Sequence, residues 1–166
     1  MKILDLMTGA ALLLCSFHAM AASQQVTASV AFDTPVLMTK VSDINFGAVK
    51  AGVADTYTIT TVGNVTAAGG DQWVSGTKTP GNINISGTAT GAVNISVSGY
   101  TTSGGVTLAN ATCSYDGAAS GPCAINGAPA PGAGKTLLLG VDAVVDGTQT
   151  PNTTASPGFT VTVVQP

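Results

Sequence analysis

From residue 26 onward, apolar residues tend to fall at every second position, and no stretch beyond residue 21 sustains a helical period. Successive side chains of a strand point to opposite faces, whereas an amphipathic helix repeats its apolar residues three and four apart. The chain is therefore restricted to folds in which strands each bury one face. In residues 26–32, Val26, Ala28, Val30 and Phe32 point one way and Thr27, Ser29 and Ala31 the other. Asp33-Thr34-Pro35 breaks this run, and residues 36–41 resume extended structure. In INFG at 44–47, Ile44 and Phe46 share a face and Gly47 ends the run. Residues 53–62 set Val53, Tyr57 and Ile59 against a row of Thr, and 64–78 is loop-rich. Residues 81–86 and 92–98 turn Ile83, Ile85, Val93, Ile95 and Val97 inward, and the linker GTATG reads as a hairpin. Residues 106–113, 135–145 and 159–163 supply the remaining strands. Short strands separated by turn residues predict an all-β protein: an immunoglobulin-like or pilin-like antiparallel β-sandwich.

Residues 1–21 read as a secretory signal peptide. Lys2 gives a positive start, an apolar stretch runs over 6–17, and Ala19-Met20-Ala21 has the small-x-small form of a cleavage site. The expected mature chain, 22–166, is one β-sandwich domain, placed in the periplasm, at the cell surface or outside the cell. Its apolar leader is short for a membrane span, so no stable membrane insertion is expected.

Charged residues make up 8 % of the chain, where about a quarter is usual. The 45 % hydrophobic content and its alternation point to a folded chain with a Thr/Ser/Asn surface. The chain contains no Arg and no Glu, and its single His is His18, inside the leader. Setting aside Lys2 and Asp5, the charges are four Lys and seven Asp. General acid–base catalysis leans on His or a tuned Glu, Ser and Cys nucleophiles usually take His as their base, and catalytic zinc usually needs His. The inventory thus argues against an enzyme and against a catalytic cofactor. It holds no basic patch for nucleic acid.

Cys113 and Cys123 are the two cysteines beyond the leader, and an even count in an exported chain predicts a disulfide. Between them Asp116-Gly117 and Gly121-Pro122 are turn formers, so the pair would clip a hairpin or loop.

The order of segments resembles the bacterial secreted family called domain of unknown function 4402. The resemblance rests on INFG at 44–47, INISG at 83–87, VNISV at 93–97, VTLAN at 106–110, LLLGVDAVV at 137–145 and GFTVTVV at 158–164. The chain departs from the family pattern at LGV, where VGG is usual, and at its end, where Val164-Gln165-Pro166 replaces a terminal aromatic. The chain is also similar to archaic chaperone–usher pilins. That likeness implies a structural or adhesive subunit that takes a strand from another copy by β-strand addition, helped by a periplasmic chaperone. The segment carrying Val26, Ala28, Val30 and Phe32 is then a candidate strand for exchange; the alternative is that it is the domain's own first strand.

Other motifs have plainer readings. GAGKT at 132–136 is not a phosphate loop, because Pro129 stands where the pattern needs Gly. Asn64, Asn84, Asn94, Asn110 and Asn152 open N-x-[ST] triplets that composition alone produces. A loop Ca²⁺ site would draw on Asp71 or Asp116, although solvated turn residues are the default. Trp73 with Tyr57 or Tyr100 could form a sugar-stacking platform; packing into the core or its rim is the simpler role. Lys40, Lys50 or Lys78 could enter an isopeptide bond only with a carboxyl catalyst in the core. The expectation is therefore an exported, non-enzymatic structural or surface-interaction protein, with a secreted or periplasmic carbohydrate-binding module as the alternative.

Overall fold

Strand pairing in a computed structural model of the chain follows the alternation read from the sequence. The structure describes residues 27–30, 34–70 and 73–166, with Trp73 and Val74 described in backbone only. Thirteen strands occur, all paired antiparallel, and no helix occurs among the described residues. They are β1 (Leu37–Ser42), β2 (Ala48–Val49), β3 (Ala54–Ile59), β4 (Val65–Ala67), β5 (Trp73–Ser75), β6 (Gly81–Ser86) and β7 (Val93–Ser98). There follow β8 (Thr102–Ser103), β9 (Val106–Tyr115), β10 (Gly121–Pro122), β11 (Ala124–Ala128), β12 (Lys135–Asp146) and β13 (Thr160–Val164).

β12, the longest strand, organises an eight-stranded sheet. Along one edge, its residues 135–139 pair with β6 and its residues 141–146 with β3. Along the other edge it pairs with β9. Gly140 sits at the junction of the two halves. A Cβ there would stand 2.7 Å from Thr112 Oγ1 and closer still to the Ile59 carbonyl oxygen, so only Gly fits. β1 lies beyond β6, β4 beyond β3, and β8 and β10 beyond β9. A second sheet has the order β11-β7-β13, and β2 pairs with β5 in a small ribbon.

The core lies between the two larger sheets. The large sheet contributes Tyr57, Ile59, Ile85, Leu137, Leu139 and Val141, and the small one Val93, Ile95 and Ala128. β9 buries Leu108 but then Ala111, Cys113 and Tyr115, so its parity switches. A bulge causes the switch: between the Ala109 and Thr112 pairs two residues of β9, Asn110 and Ala111, stand against one of β12, Val141, and Asn110 takes φ 50°. The extra residue lets both halves of a ten-residue strand face the same core.

The predicted hairpin of 81–86 with 92–98 does not form. β6 belongs to the large sheet and β7 is the centre of the small one, so residues 87–91 cross between sheets. Alternation fixes which face a strand buries but not its neighbour, and this linker buries one of its residues, Thr88, while 89–91 stay exposed. Thr88 is 1 % exposed; its Oγ1 donates to the Thr90 carbonyl at 2.6 Å and accepts from the Thr90 amide. Gly87 N donates to the Gly132 carbonyl, and Gly132 N to the Thr88 carbonyl, holding this arch to the loop before β12.

Residues 27–30 lie outside any strand, and Val30 is 74 % exposed. Val26 and Phe32 lie outside the described residues, as do residues 1–21, so the first described strand is β1.

Candidate functional site

The predicted disulfide is present. Cys113 and Cys123 are joined with their Cα atoms 5.0 Å apart, and both are buried. Cys113 belongs to β9, whereas Cys123 lies between β10 and β11, at the point where the chain leaves the large sheet for the small one. β10 returns along β9, with Gly121 opposite Cys113 and Pro122 opposite Thr112. Asp116 and Gly117 form the turn at the hairpin tip, with φ of 53° and 76°. Pro122 lacks an N–H and is tolerated because β10 is an edge strand.

Beside the disulfide is an open cleft of about 540 Å³ between the β9–β10 hairpin and β11. Its lining includes Tyr115, Asp116, Pro122, Ile125, Asn126 and Pro129. Tyr115 OH donates to the Pro129 carbonyl at 3.1 Å, so its ring forms a wall rather than a free platform. Burial, and then the nearby Asp116 carboxylate, push the Tyr115 phenol above its ordinary value. Lys135 Nζ binds Asp116 Oδ2 and lies 5.9 Å from the centre of the Tyr115 ring. The cleft thus carries one satisfied ion pair and amide and backbone dipoles. These groups can hydrogen-bond a polar ligand.

The remaining candidate residues are dispersed. Tyr57 is fully buried in the core, so it cannot stack a ligand; burial and the Asp55 charge raise its pKa. Tyr100 packs on Phe159 with ring centres 5.8 Å apart, and its OH accepts from Ala111 N at 3.0 Å, beside the β9 bulge. The Trp73 side chain and Asp71 lie outside the described residues. GAGKT forms a turn that leads into β12 at Lys135, as the sequence reading expects. Lys40 forms an exposed ion pair with Asp43 at 2.8 Å. Among the described residues, no three His, Cys, Asp or Glu groups gather where they could hold a metal ion.

Sequence reasoning missed the second structural feature, the unequal size of the two sheets. The faces of β1 are set by its ladder: Met38 is opposite Ile85 and Lys40 opposite Ile83, whereas Leu37 is opposite Ser86 and Thr39 opposite Asn84. Residues directly opposite share a face. Met38 and Lys40 therefore lie on the core-facing side, yet Met38 is 46 % exposed. On the outer side Leu37 is 58 % exposed. The three-stranded sheet does not extend over β1. β13, with Val161 and Val163 half-buried, is the edge of that smaller sheet. The available signal was the composition of LMTKVS, which holds apolar residues of both parities.

No protein-family model, curated protein or solved structure matches this chain.

Proposed function

We propose that this chain is an exported, non-enzymatic structural or surface-interaction protein, a pilin-like or adhesive subunit that associates with other copies by β-strand addition. The observation that carries this reading is the sandwich left open at β1, where Leu37, Met38 and Val41 stay exposed on an edge strand. An exposed apolar edge is a template for another strand. The lack of Arg, Glu and any His beyond the leader supports a role without acid–base chemistry. The ordered motifs from INFG to GFTVTVV support kinship with the domain of unknown function 4402 family and an immunoglobulin-like or pilin-like type of sandwich. In this reading residues 1–21 are removed on export. A periplasmic chaperone covers the open edge until assembly.

A second reading is a self-contained carbohydrate-binding module. The cleft beside Cys113–Cys123 favours it, because its size suits a small ligand and Asn126 with the backbone offers neutral hydrogen-bonding groups. Fractionation of the native host, N-terminal sequencing and sizing of the recovered protein test both. Export with a start at Ala22 and high-mass species is the expected result. A protein held in the cytoplasm with its first residues intact would overturn the proposal. An exported monomer that binds glycans would favour the second reading.

A further inference from the structure

We propose that β1 pairs with β1 of a second copy of this chain, antiparallel, with Thr39 on the two-fold axis, so that the two large sheets become one. This rests on the reading of the protein as a self-associating subunit, and names the surface and the register. Among the described residues β1 has a single ladder partner, β6. Its Leu37, Met38 and Val41 are 58, 46 and 62 % exposed, three of the eight exposed large hydrophobics among the described residues. The partner must therefore offer an extended backbone and apolar side chains on both faces. β1 itself meets this description, and a two-fold contact uses the same patch twice.

The ladder restricts the register. In a sheet continued through a two-fold axis, residues directly opposite must lie on one face, so the two numbers must be of equal parity. Centring on Lys40 would set two ammonium groups against each other, and like charges directly opposite are unfavourable. Centring on Met38 would shorten the ladder and leave Val41 uncovered. Centring on Thr39 sets Met38 against Lys40 of the other copy on the core-facing side. On the outer side Thr39 meets its own image, and Leu37 comes opposite Val41, the residue at the bulge. Lys40 keeps its ion pair with Asp43, on the same strand and the loop that follows it. The bulge at Val41, where the β6 register slips between Lys40 and Ser42, ends the ladder on both sides. The contact is short, so a concentration-dependent dimer is expected rather than an obligate one.

Cysteine substitution on the purified, oxidised full chain tests the register. Across an antiparallel pair, Cα atoms are about 4.5–5.5 Å apart, within the range of a disulfide. Thr39→Cys is expected to give a covalent dimer on a non-reducing gel. Leu37→Cys should remain monomeric, because the two copies of residue 37 are then offset by four residues, roughly 13 Å. Met38→Lys sets Lys against Lys40 of the other copy and should abolish the Thr39→Cys dimer. Adding Lys40→Asp to Met38→Lys replaces the repulsion with attraction and should restore it. Unfolding curves of each variant check that the fold survives. Equal cross-linking at 37 and 39, or none at 39 at any concentration, overturns the proposal. Assembly that continues without cross-linking at 39 but is lost when residues 22–32 are deleted also overturns it. That last result would leave the surface-subunit reading standing, with the N-terminal segment as the strand exchanged. Retention in the cytoplasm would sink the functional reading without touching the cross-link result.

Discussion

Opening the Cys113–Cys123 bond should weaken the fold by an amount that its loop length sets. The two cysteines are ten residues apart in sequence. On the chain-entropy model, a closed loop of this size removes about 9 cal/mol/K from the unfolded chain, roughly 2.7 kcal/mol at 25 °C. Ser at both buried positions adds the cost of two buried hydroxyls, so the reduced chain gives the cleaner reading of the loop contribution. For a body of this size, each kcal/mol moves the midpoint by roughly 3–5 °C, so a drop of about 8–14 °C is expected. The assay is equilibrium urea unfolding of the oxidised chain, the reduced chain and the Cys113→Ser/Cys123→Ser variant, followed by circular dichroism. The reduced chain should lose about this amount and the Ser variant somewhat more, and the denaturant slope of both should rise slightly, because the unfolded chain is less restrained. A loss below about 1 kcal/mol would refute the reasoning, and would mean that the β9–β10 hairpin persists in the unfolded ensemble. A loss well above about 5 kcal/mol would also refute it. In that case the bond would hold the start of β11 against the large sheet rather than merely limit the unfolded chain.

Three further outcomes follow from individual contacts. Tyr100→Phe removes the acceptor of the Ala111 amide, which sits beside the bulge and is buried, so a loss of about 1–3 kcal/mol is expected by the same unfolding assay. Gly140→Ala forces a methyl group against the Ile59 carbonyl and Thr112 at the β6–β3 junction; a soluble variant of unchanged midpoint would show that β12 can shift there. Stability should change with pH through the three groups whose values shift, Tyr57, Tyr115 and Asp146. The raised phenols of Tyr57 and Tyr115 contribute below about pH 10, and that contribution is lost as pH rises through their folded values. The Asp146 carboxyl is held below its ordinary value by the Thr148 amide, the Thr148 hydroxyl and Gln149, so its contribution is present at neutral pH and lost on acidification. A stability step near pH 6–7 in a pH series of melts would contradict this account.

Strand identity was legible because burial imposes period two. The runs at 81–86, 106–113 and 135–145 coincide with β6, β9 and β12 to within two residues, and Tyr57, Ile59, Ile85 and Val93 are fully buried. Strand neighbours were not legible. Nothing local tells β6 that its partners are β1 and β12, with paired residues at least 40 apart in sequence, rather than β7 across a five-residue linker. Short edge strands were also missed. β4, β5, β8, β10 and β11 fall in segments rich in Gly, Ser and Pro, and the longer strands beside them supply the ladder that orders them. The disulfide was legible from the count of cysteines, but the cleft beside it depends on how β11 leaves the hairpin. The segment holding Val26, Ala28, Val30 and Phe32 alternates in sequence, yet residues 27–30 join no ladder, so alternation there marks the capacity to pair rather than a pairing made.

The scarcity of charge and the open edges are one problem with one physical origin. Natural sheets commonly protect their edges with Lys, inward-pointing charges, Pro, bulges or very short strands. This chain has few charges to spend, and among its edge strands only β1 carries any, Lys40. The other means account for most of the rest. β4, β8 and β10 have three, two and two residues, β10 holds Pro122, and β11 slips register between Ile125 and Ala128. That leaves β13 and β1. β13 turns Thr160, Thr162 and Val164 to solvent and half-buries Val161 and Val163, so one apolar side chain, Val164 at 50 % exposure, stands on its outer face. β1 has neither remedy in full: its bulge comes only at Val41, and Leu37 and Met38 expose apolar surface on opposite faces. A neutral Thr/Ser/Asn surface gives no long-range repulsion to keep copies apart. In such a chain the edge that exposes the most apolar surface, β1 with Leu37, Met38 and Val41, is the place where association is expected. The β1 contact is the point at which that expectation can be checked, one residue at a time.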